Sequence, residues 1–498
     1  MQPLLTSQQI KATDAYTIQH EPISSIDLME RAANAFVVCF TRRYTDKEKS
    51  IAIYCGTGNN GGDGLAIARL LHQDHYKNIN VKITRFSDKS TDDFNTNLKR
   101  LKNVEIIEIA TGDKLPGENA DIIIDGLLGT GLNKPLSGAY KMLFEHLNSL
   151  DKEVVAIDIP TGFIGDGKLP KDAAVLKAKL VITFQQPKIN FLLPESAPYM
   201  DDFEAVDIGI KPEYIRQHTS PYQLLQPDDI SNKLKRRKKF KHKGTYGHAL
   251  IIAGQPETMG AALLCSSACV HTGAGLTTAC VPESGLTALN TSYPEVMAVV
   301  RHEHQAPKIE WHKFNTVAIG PGLGKTAEAL TLIQTAFIEF NKPMVIDADA
   351  LNLVADNCLF KKIPADSILT PHMKEFDRLF GDHNSWWARI ETLLEKAAEF
   401  KIYIVLKNQY TIIGTPDGMA YFNPTGNPAM ASGGMGDVLT GVIASLLAQG
   451  YSPEDACLLG VYLHGMAGDD LALPGKLTTV LAGHVAKHIP VMMAKIRA

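Results

Sequence analysis

Hydrophobic residues in the first half of the chain fall in short unbroken runs rather than in alternation. The runs predict strands at Ile51–Cys55, Val81–Phe86, Asp121–Asp125, Val154–Ile159, Lys179–Phe184 and Ala205–Ile208. A strand that is apolar on both sides is covered on both faces, as in a parallel sheet. Between these runs, Gly64–His72 and Gly138–Leu147 carry apolar residues at helical spacing. The alternation predicts an α/β domain with three layers, a Rossmann-like parallel sheet between two sets of helices.

The pattern breaks near Gln226. Leu225–Asp229, holding Pro227, reads as a turn, and Lys235-Arg236-Arg237-Lys238-Lys239 as a solvated basic run. Strands then resume at His248–Ala253, Leu276–Val281, Thr316–Ile319, Pro343–Asp347, Ser367–Thr370 and Ile402–Lys407. Helices are expected at Gly260–Thr272, Gly436–Gln449 and Pro453–Leu471. A second α/β domain is therefore predicted, with the division within 222–240 and domains at 1–222 and 223–498. A chain of 498 residues exceeds one ordinary core, in keeping with two domains.

Composition narrows the function. With 45% hydrophobic and 21% charged residues the chain reads as a folded globular protein. A formal net charge of -4 gives no global field for nucleic acid. No apolar run approaches the roughly 20 residues of a membrane helix, and Met1–Glu21 holds no apolar signal core. A cytoplasmic protein without membrane or nucleic-acid partners is expected. The seven cysteines form no CxxC pair and are read as reduced, buried thiols.

Two glycine-rich turns carry the candidate chemistry. Gly56–Gly61 satisfies GxGxxG, but the next strand ends Thr84-Arg85-Phe86, without the acidic residue a dinucleotide site would place there. Asn59-Asn60-Gly61-Gly62-Asp63-Gly64 is more telling: a strand-to-helix turn whose helix start favours anions and whose amides supply neutral oxygens. Asp125, before Gly126–Leu132, and Asp158, before Ile159–Gly162, end two further strands, each as a helix cap or a site carboxylate. In the second domain Gly433-Gly434-Met435-Gly436-Asp437 opens a helix, an arrangement for a backbone anion hole with a carboxylate beside it. Gly320–Thr326 is one residue short of a P-loop and reads as a ligand loop. His372 and the Asp347/Asp349 pair also stand at strand ends, whereas His302-Glu303-His304 lacks metalloprotease spacing and is read as surface.

These motifs carry a family resemblance. Residues 1–222, with their Asn59–Gly64 string, resemble the YjeF N-terminal domain of NAD(P)H-hydrate epimerases. Residues from about 226 onward resemble the YjeF C-terminal domain, a ribokinase-like, ADP- or ATP-dependent NAD(P)H-hydrate dehydratase. That match rests on His242-Lys243-Gly244, Gly320–Gly324, Asp347–Leu351, Thr370-Pro371-His372 and Gly433–Asp437. For the epimerase half, the resemblance implies Asn60, Asp125 and Thr161 as potassium ligands and Asp158 as the residue that moves the proton at C6. The substrate would lie on Asn59, Asn60, Gly61, Gly62, Asp63 and Asp158, under a loop of Gly129, Thr130, Gly131, Leu132, Asn133, Lys134 and Pro135. For the dehydratase half it implies Ala261, Gly322, His372 and Asp437 on the hydrate, with Asp437 as base. Lys407, Asn408, Gln409, Tyr410, Thr411 and Gly436 would hold the nucleotide, ADP with Mg²⁺. A homo-oligomer taking NADHX or NADPHX is the expectation. Thr161 replaces the family's usual Ser, Asn408 its Gly and Met435 its common Thr. Two rivals remain at this point: a ribokinase-like small-molecule kinase, and an N-terminal half that binds without catalysing.

Overall fold

The computed structural model describes residues 1–115, 117–130, 137–170, 173–473 and 476–497. The chain divides into two compact units, Pro3–Ser220 with Ser385–Trp387, and Met1–Gln2 with Pro221–Asn384 and Ala388–Ala498. Strand β1 (Gln2–Pro3) stands at one edge of the second unit's sheet.

The first unit is built on seven strands: β2 (Ile51–Cys55), β3 (Ile79–Arg85), β4 (Glu105–Ala110), β5 (Ile122–Gly126), β6 (Glu153–Ile157), β7 (Ala178–Phe184) and β8 (Met200–Val206). They pair in parallel in the order β4-β3-β2-β5-β6-β7-β8. Strand order reverses between β2 and β5, which opens a crevice beyond their carboxyl ends where ligands of such sheets bind. β2 is buried at every position, as its unbroken apolar run requires. One core cluster centres on Ile53, Ile124 and Ile182, and another on Tyr54, Ile123 and Val181, so the sheet is covered on both faces. β4 was not expected: Glu105 and Glu108 interrupt its apolar residues, and as an edge strand it is exposed everywhere but at Ile109. Helices Ser7–His20 and Ser25–Arg43, also unread in the sequence, precede the sheet.

The second unit continues with β9 (Tyr222–Leu224), β10 (His248–Ile252), β11 (Leu276–Pro282), β12 (Met297–Arg301), β13 (Thr316–Ile319), β14 (Val345–Ile346), β15 (Ile368–Leu369), β16 (Tyr403–Leu406), β17 (Ile412–Gly414) and β18 (Ala420–Phe422). The sheet order is β1-β9-β18-β17-β16-β15-β14-β13-β10-β11-β12. From β12 to β16 every pair is parallel; β17 then turns back antiparallel. Helices Met259–Thr272, Met435–Ala448, Pro453–Leu471 and Ala482–Lys495 pack together at its core. Met435–Ala448 is buried along all of Val438–Ala448, as befits a helix apolar all round.

Two local readings are corrected. Leu225–Asp229 is no simple turn, because Pro227 opens the helix Pro227–Lys233 and the Asp229 carboxylate accepts the Gln226 N–H. Cys358 is exposed, whereas the other six thiols are buried. The basic run is exposed, with Lys235 over the Tyr451 ring and Arg237 over Tyr246.

Candidate functional site

In the first unit β2 delivers the chain to Gly56-Thr57-Gly58, and the helix Asn59–Gln73 begins with Gly58 at its N-cap and no capping side chain. Its first-turn N–H groups are left for whatever lies ahead. Asn59, Asn60 and Asp63 reach the wall of a cavity of about 650 Å³, as do Gly129, Thr130 and Asp158. Gly61 and Gly62 are buried instead, and a Cβ on Gly61 would stand 1.8 Å from the Gly56 carbonyl oxygen. Gly61 lets the helix lie against the strand end, and Gly62 makes room for Met29 and the Phe94 backbone. Gly131, Leu132, Asn133, Lys134 and Pro135 fall outside the described residues.

Asp125, at the end of β5, is wholly buried. Thr161 donates to it twice, through its hydroxyl at 2.6 Å and its N–H at 2.8 Å, and Leu127 donates a third hydrogen bond. Burial pushes the Asp125 carboxyl up to about 6 against these three donors. The partners recorded for it are all neutral, so a charge here has no counter-ion among the described side chains. Asn60, 8% exposed, has an amide nitrogen with no hydrogen-bond partner. The two strand ends and the helix start thus bring Asn60, Asp125 and Thr161 to the switch point of one sheet.

Asp158 follows β6 in a left-handed conformation (φ 63°), which lifts its side chain off the strand line. One carboxylate oxygen accepts from the Thr183 hydroxyl, the Phe184 N–H and, at 2.7 Å, the Lys188 ammonium. Lys188 is 2% exposed. Neither Lys188 nor Asp14, which joins Asp158 on the cavity wall, was singled out in the sequence. Asp14 lies on the helix Ser7–His20, far from any glycine turn that would have marked it.

In the second unit Asp347 ends the β14 segment, 1% exposed. It accepts from Lys407 Nζ at 3.0 Å and from the Thr440 hydroxyl at 2.7 Å, which ties β16's end to the helix Met435–Ala448. Gly434 caps that helix at φ 90°, a conformation glycine adopts without strain. Asp437 stands in its first turn. Burial raises its carboxyl to about 6, Asp347 and Asp349 push the same way, and Lys407 opposes them. Gly324 N–H donates to Asp349, and the Thr258 hydroxyl to the Gly322 carbonyl. A Cβ on Gly322 would lie 3.0 Å from that of Ala261, so these two predicted residues adjoin. His372 caps the helix Met373–Phe380, its Nδ1 accepting from the Lys374 and Glu375 N–H groups.

Lys407, Asn408, Gln409, Thr411 and Gly436 line a cavity of about 340 Å³. Tyr410, Ala261, Gly322, His372 and Asp437 are not on its wall. His464, on the same wall, was missed by the sequence reading; its Nε2 is buried without a partner, and burial lowers its ring to about 4. Among the described residues no group of three His, Cys, Asp or Glu is placed to hold a metal.

The chain matches two family models, YjeF-related protein N-terminus over residues 25–190 and NAD(P)H-hydrate dehydratase over residues 249–491. It is 33% identical to the bifunctional NAD(P)H-hydrate repair enzyme of Moorella thermoacetica, covering 99% of this chain and 97% of that protein. The chain belongs to the bifunctional NAD(P)H-hydrate repair enzymes. The repair enzyme of Coxiella burnetii is 31% identical over 99% of this chain and 100% of its own length. In structure, a ribokinase-like superfamily protein from Enterococcus faecalis V583 matches with a TM-score of 0.50 and 27% identity, over 56% of this chain and 98% of its own. Membership along nearly the whole length sets aside the lone-kinase reading.

Proposed function

We propose that the first unit interconverts the R and S epimers of hydrated NADH and NADPH, and that the second dehydrates the S form at the expense of ADP. The observation that carries this is Asp437: a carboxylate in the first turn of a glycine-capped helix, beside Lys407 and a cavity lined by five of the six predicted nucleotide residues. In the dehydration Asp437 takes the proton of the C6 hydroxyl as that oxygen bonds the terminal phosphorus of ADP and AMP leaves. The C6–O bond to phosphate then breaks, C5 gives up a proton, and the ring double bond returns. The N–H groups of the Gly433–Gly436 turn and the Lys407 ammonium take up phosphoryl charge. Mg²⁺ would enter on the nucleotide phosphates and neutralise part of their charge.

In the first unit Asp158, held by Lys188 at 2.7 Å, takes the hydroxyl proton of the hydrate. Asn60, Asp125 and Thr161 suit a potassium ion: they offer an amide oxygen, a hydroxyl oxygen and a buried carboxylate without a counter-ion among the described residues. The ion would supply the positive charge that Asp125 lacks.

Asp437→Asn and Asp158→Asn test the division of labour on an epimer mixture with ADP. Asp437→Asn is expected to lose NADH recovery by about 100-fold or more, as removal of a general base does, while epimers still interconvert. Asp158→Asn is expected to convert the S fraction and stall. Undiminished ADP-dependent recovery in Asp437→Asn would sink the assignment.

A further inference from the structure

Epimerisation by ring opening needs two proton transfers, one at the C6 hydroxyl and one at the ring nitrogen, and Asp158 supplies only one. The cavity that holds Asp158 contains two more carboxylates, Asp14 from the helix Ser7–His20 and Asp63 from the helix Asn59–Gln73. Asp14 and Asp158 also share the smaller adjoining cavity of about 90 Å³, where Lys188 joins them. Among the described residues the one cation bonded to a carboxylate of this cavity, Lys188, is committed to Asp158 at 2.7 Å. No hydrogen bond or ion pair ties Asp14 among the described residues, although its neighbour Thr13 bonds His218 and Ser7 of the same helix bonds Asp166. Lys11 is the other charged residue that this helix gives to the cavity. A ligand is independently called for here by the buried, partnerless Asn60 amide on the same wall.

We propose that Asp14 is the second proton-transfer group of the epimerisation, acting with Asp158 on one substrate in this cavity. The inference rests on the epimerase reading given above. Asp158, as carboxylate, takes the C6 hydroxyl proton. The O–H electrons form C=O, and the C6–N1 bond breaks toward nitrogen. N1 takes the proton of the Asp14 carboxylic acid, leaving an open aldehyde and an N1–H enamine. Rotation presents the other face of the aldehyde; N1 returns its proton to Asp14 as it attacks, and the oxygen recovers its proton from Asp158. Every atom and electron pair is restored, with only the configuration changed.

The surroundings divide the roles. Burial, then the Asp158 charge, raises the Asp14 carboxyl to about 6, while Lys188 pulls the other way. Asp63 is raised as well, by burial and then by Asp158, Asp14 and Asp93, and any negative charge on it favours the protonated form of Asp14. Asp14 thus serves as the acid, and Asp158, hydrogen-bonded to the Lys188 ammonium, as the base.

The test uses the full chain without ADP, so that dehydration is silent, and purified S hydrate of NADH, with the R epimer followed by chromatography. Asp14→Asn is expected to lower kcat by about 100-fold with KM within threefold, and to leave ADP-dependent dehydration of the S form unchanged. The unsubstituted chain should lose rate above pH 6 as Asp14 gives up its proton, and this limb should vanish from the residual rate of Asp14→Asn. A rate within fivefold of the unsubstituted chain, a loss carried by KM alone, or an unmoved limb overturns the role of Asp14. Should Asp14→Asn fail to fold, Asp14→Glu is read instead: a shifted limb supports the role and an unshifted one overturns it. No interconversion by the unsubstituted chain would instead overturn the epimerase reading itself.

Discussion

Asp437 and Lys407 show how one ionisable residue is tuned by its neighbours. The Asp437 carboxyl lies near 6 because burial, Asp347 and Asp349 outweigh Lys407. A base works only when ionised, so the dehydration rate should be flat above pH 7 and fall about tenfold per unit below 6. Lys407 is the group that opposes the rise. Lys407→Met should therefore move the acid limb to higher pH, read as the pH of half-maximal kcat so that any loss of nucleotide affinity does not enter. A limb that stays or moves down would mean that another group titrates. Asp437 was legible in the sequence because a glycine run directly before a helix is costly without a ligand. His464 was not, for a histidine inside the apolar helix Pro453–Leu471 reads as core until its unpartnered nitrogen is seen on a cavity wall.

At the level of elements, the Asn59–Gly64 turn does two jobs with adjacent residues. Asn59, Asn60 and Asp63 face the cavity, while Gly61 sets how closely the helix approaches the strand end. Alanine in place of a helical glycine ordinarily adds about 1 kcal/mol. At Gly61 the new Cβ would meet a backbone oxygen at 1.8 Å, so the helix must move. Gly61→Ala is thus expected to destabilise the first unit by about 2 kcal/mol or more and to abolish epimerisation. Gly58→Ala, with nothing within 4 Å of its Cβ, should leave stability within about 0.5 kcal/mol. Denaturant unfolding of the two variants decides; equal stabilities would remove the packing role. Sequence periodicity located the buried strands well, since β2, β5, β7 and β10 are apolar on both faces. It missed β4, an exposed edge strand whose apolar residues are interrupted by Glu105 and Glu108, and the helix Pro227–Lys233, which is too short to show a period.

For the whole molecule, each unit has its own sheet and its own core clusters, and each cavity is lined from within one unit. The two reactions are linked only by a diffusible epimer under the proposed function. Mixing Asp158→Asn with Asp437→Asn should therefore restore complete conversion of an R and S mixture with ADP, at a rate set by the concentrations of both variants. Continued stalling at the S fraction would show that the epimer is not exchanged through solution. Among the described residues no helix is long and apolar enough to cross a membrane. The sequence by itself determined the α/β class, the two-domain order, the strand-end placement of Asp125, Asp158 and Asp347, and the glycine-led helix start before Asp437. Those features are written in neighbouring residues, through period, turn chemistry and helix capping, which act over a few positions. Only the tertiary structure decided that Asp14 and Asp158 line one cavity, that Lys188 holds Asp158, and that Lys407 and Thr440 converge on Asp347. Such meetings depend on strand order and on how helices cover a sheet, and these are fixed by burial over the whole core, not by spacing along the chain.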